Sequence, residues 1–378
     1  MPAAPRSAPR FAILVSFSGQ GGVERMVVNL VRGLVDLGQS VDLLLIRRAG
    51  PHLDRIPPAV RQYPLGADHS LTAIPALARY LRRERPHALL AIKDRAGRAA
   101  VVARALAGTD TPLLLRLGTH LSTAMTGKTA LERWLRYAPI RLLYPRLDRI
   151  IAVSSGVAAD IEALSGVPRH RIQVIRNPVI TPEMARQATA DCPHPWLRPD
   201  QPPVILGVGR LEYQKDFATL IHAFALVRRT RACRLLILGE GRERASLEAL
   251  GERLGVAADL DLPGFEPNPY AFMVRAKLFV LTSRWEGSPN VLTEAMAIGI
   301  PVVATDCPSG PSELLEQGRW GPLVPIGDAP RLAEAMAATL DRPPAPERLR
   351  AAVADYDQTV SARHYLAALE PSRLASGQ

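Results

Sequence analysis

Short apolar runs alternate with longer amphipathic stretches along the chain. In the first half the runs lie at 11–17, 41–46, 88–92, 112–117, 149–154 and 172–175. They are brief, rich in Val, Ile and Leu, and apolar at successive positions, which fits strands buried on both faces of a parallel sheet. Helical periodicity fills 23–37, 71–85, 95–107, 129–147 and 155–164. This alternation predicts a doubly wound α/β domain with helices on both faces of the sheet.

The pattern lapses over 181–203, a stretch rich in proline and polar residues that reads as a linker. It restarts with predicted strands at 204–209, 234–239, 260–265, 277–283 and 300–306, and helices at 216–230, 242–254, 267–275, 289–298 and 329–340. A final helical segment, about 346–370, belongs to neither sheet. The expected organisation is a first domain over 1–185, a second over 186–345, and a tail over 346–378.

With 378 residues and 47% apolar side chains, the chain can bury two cores, which excludes a disordered chain or a small disulfide scaffold. Cys192, Cys233 and Cys307 show neither metal nor redox spacing, and their odd number fits a reducing compartment. The apolar run at 11–17 is short and lacks an A-x-A cleavage site, so it reads as a strand rather than a signal peptide. No run approaches the roughly 20 residues of a membrane span. The expected location is cytoplasmic, with a peripheral position at the inner face of a membrane. Charge changes this picture in one respect. Residues 1–185 carry 26 basic and 13 acidic side chains, net +13, whereas 186–378 carry 21 and 23, net −2. The asymmetry points to an anionic partner for the first half.

Candidate chemistry gathers where strands end. Gly21 and Gly22 follow the first strand and open a helix, a turn that admits close backbone approach and favours an anion. A tight turn in a parallel sheet explains the same residues, since neither the full G-x-G-x-x-G fingerprint nor a Walker G-K-[ST] is present. Arg210 and Lys215 leave the first strand of the second domain at its carboxyl edge, a fork and a point charge suited to a diphosphate. In SRWEGSPNVLTEAMAIG (283–299), Ser288 is the expected N-cap, Pro289 the first helical residue and Gly299 the stop. Glu286 precedes that helix and Glu294 lies inside it among apolar neighbours. Paired carboxylates suit sugar hydroxyls, and the helix start between them suits phosphate. His120 follows a strand closely. Asp259 and Asp261 spell D-x-D but lead straight into a strand, and no cluster has metal-ligand spacing.

Taken together, the chain resembles the retaining GT-B glycosyltransferases of family 4, the group 1 glycosyltransferases. The resemblance rests on GQGGVERM (19–26), AVSSGVAADI (152–161), VIRNPV (174–179), GVGRLEYQKDFATLIHAF (207–224), LILGEG (236–241) and SRWEGSPNVLTEAMAIGIPVVATDCPSGPSELL (283–315). The last contains the E-x7-E pair Glu286 and Glu294, and its wording is nearest to members acting on bacterial surface polysaccharides. The resemblance implies two Rossmann-like domains facing a cleft, with the C-terminal helix crossing back to the first. It implies a nucleotide-sugar donor, UDP-linked as commonest, and retention of configuration without a metal or other cofactor. Arg210 and Lys215 would hold the diphosphate, helped by backbone N–H groups across Ser288–Val291, with Pro289 and Asn290 among the residues lining the donor. Proline itself supplies no N–H. Glu294 would hold the ribose and Glu286 the donor sugar. Gly21, Gly22, Gly239, Gly264 and Phe265 would complete the donor site, and His120 matches the family's histidine near the sugar, although Leu121 follows it where an acidic or amide residue is common.

The acceptor should meet the basic first domain. Residues 128–149 combine Arg133, Arg136 and Arg141 with Trp134, Tyr137 and leucines, and 79–85 add a second basic group. A basic amphipathic helix can lie on an anionic membrane, and it can equally pack on its sheet with a solvated basic face. A saccharide or lipid-linked acceptor fits the first choice, and no nucleic-acid motif is present. Two other readings are a GT-B-fold nucleotide-sugar 2-epimerase, which needs no sugar acceptor, and a non-catalytic nucleotide-sugar-binding partner.

Overall fold

In a computed structural model that describes residues 9–18 and 21–370, the apolar runs become sheet interiors. The first unit comprises described residues up to Pro178 together with those from Gln358, and the second comprises Val179–Asp357. The first unit's strands are β1 (Arg10–Ser18), β2 (Ser40–Ala49), β3 (Arg61–Pro64), β4 (Ala88–Ile92), β5 (Leu113–Leu117), β6 (Arg149–Ala152) and β7 (Ile172–Val174). Among the described residues they pair in parallel in the order β3-β2-β1-β4-β5-β6-β7. Helices α1 (Gly22–Asp36), α2 (Ile74–Glu84), α3 (Asp94–Ala107), α4 (Ala130–Leu143) and α5 (Ser155–Ser165) connect them. Alternate residues of a strand serve opposite cores: Leu14 and Leu89 pack with α2, α3 and α5, while Ile13 and Leu90 pack with α1.

The second unit holds α6 (Pro182–Ala188), β8 (Val204–Val208), α7 (Phe217–Arg228), β9 (Arg234–Leu238), α8 (Arg244–Arg253), β10 (Leu260–Gly264), α9 (Pro269–Met273), β11 (Leu278–Leu281), α10 (Asn290–Ile298), β12 (Val302–Thr305), α11 (Pro311–Leu314), β13 (Leu323–Val324), α12 (Ala329–Asp341) and α13 (Pro346–Ala352). Among the described residues its sheet is parallel, in the order β10-β9-β8-β11-β12-β13. The chain then enters α14 (Gln358–Leu369).

The supposed linker at 181–203 is part of the second unit. Thr181 caps α6 by accepting the Met184 N–H at 3.1 Å, and Met184 and Leu197 join that unit's core. The tail also divides. Leu349, Val353 and Tyr356 pack in the second unit, whereas Tyr365, Ala368 and Leu369 of α14 pack in the first, against the face that carries Met26 and Leu30. Gly33 permits this: a Cβ there would stand 2.8 Å from that of Ala362. The fully buried Arg116 guanidinium donates to Asn177 Oδ1 at 2.7 Å, just before the chain leaves the first unit.

Candidate functional site

The second sheet reverses its strand order between β8 and β11, the crevice where open α/β sheets take ligands. Two loops meet there and are fastened by three hydrogen bonds, two from side chains and one between backbones. The Thr282 hydroxyl donates to the Lys215 carbonyl at 2.8 Å, the Arg284 N–H to the Gln214 carbonyl at 2.8 Å, and the Gln214 amide to the Trp285 carbonyl at 2.9 Å. The Arg284 guanidinium lies 2.9 Å from Asp216 and stacks over the Tyr213 ring. Held this way, the Lys215 ammonium lies 2.5 Å from Glu286 Oε1, and the Ser283 hydroxyl donates to the same oxygen at 2.7 Å. The two side chains are 16% and 10% exposed, so their attraction is weakly screened.

Ser283 is itself fixed, its carbonyl accepting the Thr305 hydroxyl at 2.6 Å. Beside the pair, burial pushes the Cys307 thiol up to about 12; the Glu286 carboxylate adds to the rise and Lys215 opposes it. A thiol so held is neutral near pH 7 and is no nucleophile.

Helix α10 begins at Asn290, with Pro289 rather than Ser288 as its N-cap. The Pro289 carbonyl accepts the Leu292 and Thr293 N–H groups at 2.9 and 3.1 Å. The Ser288 hydroxyl, expected to cap the helix, is buried without a hydrogen-bond partner among the described residues. It is therefore free to donate to a ligand at the helix start. Glu294, 2% exposed, accepts the Tyr270 hydroxyl from α9 at 3.3 Å. In sequence the two carboxylates thus bracket the first turn of α10, the positive end of that helix's dipole.

Glycines bring the neighbouring strand ends close. At Gly239, where φ is 143°, a Cβ would lie 1.8 Å from the Gly209 carbonyl oxygen, so only glycine fits. The Leu211 N–H donates to the Glu240 carbonyl at 2.9 Å, and the Gly239 N–H to that of Gly264 at 2.7 Å. Phe265 follows, 43% exposed. Val291 is half-buried on α10. Arg210 is exposed after β8, and Lys215 is paired with a carboxylate.

In the first unit Gly21 is the N-cap of α1 and Gly22 its first residue; Gly19 and Gln20 of the same loop lie outside the described residues. His120 Nδ1 meets the Ser122 and Thr123 hydroxyls at 3.1 and 2.9 Å, and Asp160 Oδ1 stands 3.5 Å away. Asp160 also accepts the Leu121 and Ser122 N–H groups at 2.6 and 3.2 Å. A carboxylate from α5 thus stands beside this histidine, where Leu121 follows it in sequence. Sequence reasoning had not singled out Asp160, Ser283 or Tyr270. The first two lie inside quoted motif segments, whereas Tyr270 lies in none. Among the described residues no group of three or more His, Cys, Asp or Glu converges as a metal site would require.

Comparison with known proteins agrees with this architecture. Residues 192–355 match the glycosyl transferases group 1 family, and residues 20–182 match glycosyltransferase family 4. The lipopolysaccharide core biosynthesis glycosyltransferase LpsE of Rhizobium meliloti is 29% identical over 85% of this chain and 86% of its own length. An N-acetylgalactosaminyltransferase of Campylobacter jejuni that acts on a diphospho-undecaprenol-linked sugar is 32% identical over 53% of each chain, so the chain spans about half the length of that relative. Among solved structures, the lipopolysaccharide outer core galactosyltransferase WaaB superposes with a TM-score of 0.72 over 96% of this chain and 99% of its own, at 21% identity. HepE of Anabaena, solved with UDP and glucose, gives 0.75 over 97% and 99%, at 20% identity. The two family matches cover most of the chain, both sheets are the parallel α/β kind, and the protein belongs to the GT-B group 1 glycosyltransferases.

Proposed function

We propose that this glycosyltransferase moves a sugar from a UDP-linked donor to a saccharide or lipid-linked acceptor of bacterial surface polysaccharide, with retention at the anomeric carbon, and that it works peripherally at the inner face of a membrane. The observation that carries the donor assignment is the Lys215–Glu286 pair beside the start of α10, with Glu294 buried on that helix. An ammonium, the positive end of a helix and a serine hydroxyl without a hydrogen-bond partner among the described residues suit a diphosphate. HepE, which shares the fold, binds UDP in its crystal. The transferases above also favour this reading over the epimerase and the non-catalytic partner.

On donor binding, Lys215 exchanges Glu286 for the β-phosphate, and the released carboxylate accepts hydroxyls of the sugar. The bond from the anomeric carbon to the β-phosphate oxygen breaks with its electron pair leaving on UDP. The acceptor oxygen then bonds to that carbon on the same face and passes its proton to the departing phosphate oxygen. Lys215, Arg210 and the start of α10 stabilise the growing negative charge, with donors at Ser288, Asn290 and Val291, while Glu286 orients the sugar. Glu294 takes the ribose hydroxyls, held in position by Tyr270. Gly21, Gly22, Gly239, Gly264 and Phe265 remain donor-contact candidates, and His120 keeps the role the resemblance gave it, with Asp160 fixing its ring. No metal or other cofactor is required in this scheme.

The test is to incubate the protein with UDP-sugars, alone and with lipid-linked acceptors, and to read the product's anomeric configuration by NMR. Transfer with retention supports the proposal. Inversion overturns the mechanism, and conversion of the nucleotide sugar without acceptor would establish the epimerase instead.

A further inference from the structure

We propose that α4 is a membrane-inserting helix, whose outward apolar face enters the headgroup–acyl boundary of an anionic bilayer; the inference rests on the lipid-side reading above. Leu131, Trp134, Leu135 and Leu142 are 65%, 61%, 58% and 61% exposed. At 100° per residue they fall, with Ala138, within an arc of about 100°. The opposite side holds Ile140, which is fully buried.

The helix packs Tyr137, Ile140 and Leu143 on the first unit's core and adds polar contacts beside them. The Arg136 guanidinium lies 2.9 Å from Asp94, which also accepts the Tyr144 hydroxyl at 2.9 Å, and Arg141 Nε donates to the Leu164 carbonyl at 3.2 Å. A surface helix ordinarily keeps its apolar residues to the inward face; this one carries a second apolar stripe outward. Of the arginines expected on the outer face, Arg136 instead faces Asp94, while Arg133 and Arg141 stay exposed.

The exposed start of the helix carries its own stabilisation. Every residue from 126 to 135 is exposed. Thr129 and Glu132 form a complete capping box, with the Glu132 N–H donating to Thr129 Oγ1 at 3.2 Å and the Thr129 N–H to Glu132 Oε2 at 2.8 Å. Lys128 adds an ion pair with Glu132 one turn along. These local bonds keep the turn helical without tertiary packing.

Size and charge choose the occupant. One tryptophan and three leucines offer on the order of 500 Å², short of the roughly 800 Å² per partner of a stable protein interface. Shallow insertion needs only such a stripe, and tryptophan favours the interfacial zone. Lys128 precedes the helix and Arg141 edges the face, and residues 1–185 carry net +13, which repels a second copy and attracts anionic lipid.

The experiment uses the full chain with phosphatidylglycerol–phosphatidylethanolamine vesicles, read by co-sedimentation and by quenching of tryptophan emission with brominated lipid. Wild type should bind, retain part of its binding at about 0.5 M salt, and be quenched; Trp134→Phe should lose the quenching. The triple variant Leu131→Ser, Leu135→Ser, Leu142→Ser should bind at least tenfold more weakly, with unchanged melting temperature and UDP affinity. Unaltered vesicle binding by the triple variant overturns the proposal, as does binding wholly released by salt without quenching. A wild-type dimer that the triple variant dissolves, without change in vesicle binding, overturns it in favour of a second copy. Lipid insertion without any glycosyl transfer would leave this proposal standing and remove the functional one.

Discussion

Lys215 and Glu286 approach to 2.5 Å across the crevice where the second sheet reverses, each largely buried and each the other's counterion. A buried pair is costly to break from one side, because the remaining charge is left without compensation. Lys215→Ala should therefore lower stability by about 3 kcal/mol. Lys215→Ala with Glu286→Ala should recover part of that loss. Thermal unfolding of the four proteins in a double-mutant cycle gives the coupling, expected to exceed about 1 kcal/mol.

In the proposed donor site, the same pairing would make Glu286 compete with the diphosphate for the Lys215 ammonium. Glu286→Ala should leave UDP affinity equal or higher while removing most transfer activity. Calorimetry and a transfer assay on one preparation separate the two effects. UDP affinity reduced tenfold would show that Glu286 helps hold the nucleotide rather than the sugar.

Asp160 accepts two backbone N–H groups beside His120 and stands against its ring. Asp160→Ala should lower kcat at least tenfold without altering UDP affinity. Asp160→Asn, which keeps an acceptor for the N–H groups, should fall between the two. Steady-state kinetics with calorimetric affinity checks this, and an unchanged kcat in Asp160→Ala would remove Asp160 from the mechanism.

Burial raises the Cys233 thiol to about 11 and the Cys307 thiol to about 12. An unfolded thiol ionises near about 8.5, so above that pH the unfolded chain sheds these protons first. The stability tied to both thiols is complete below about pH 8.5 and is lost as pH rises towards 11 and 12, at about 1.4 kcal/mol per pH unit for each. Melting curves between pH 8 and 10 should fall less steeply for the variant carrying Cys233→Ser and Cys307→Ser than for wild type. Parallel slopes would contradict the assignment.

How far the sequence could be read depended on whether a feature is local. Strands such as Leu113–Leu117, buried throughout, declare themselves as apolar runs. β3 does not, because Arg61–Pro64 is an edge strand with its side chains mostly outside the core. The α6 segment was hidden by its prolines, although Thr181-Pro182 is a capped helix start. Glu286 and Glu294 were legible through their spacing on one loop and helix. Their pairings with Lys215, on a loop, and Tyr270, on α9, join segments distant in sequence, which no local pattern specifies. The outward apolar face of α4 was obscured because arginines usually mark solvent, and here Asp94 draws Arg136 inward.

The central claim is a nucleoside diphosphate held at the carboxyl edge of the second sheet by Lys215, Glu294 and the start of α10. Calorimetric titration of UDP into wild type, Lys215→Ala, Glu294→Ala and Tyr270→Phe tests it most directly. Loss of a hydrogen bond to a charged group costs about 1.5–3 kcal/mol, so the first two variants should bind at least tenfold more weakly. Tyr270→Phe, which only orients Glu294, should bind several-fold more weakly, and all three should stay folded. Wild type that takes up no UDP, GDP or ADP, or equal affinity in Lys215→Ala and Glu294→Ala, would contradict the account.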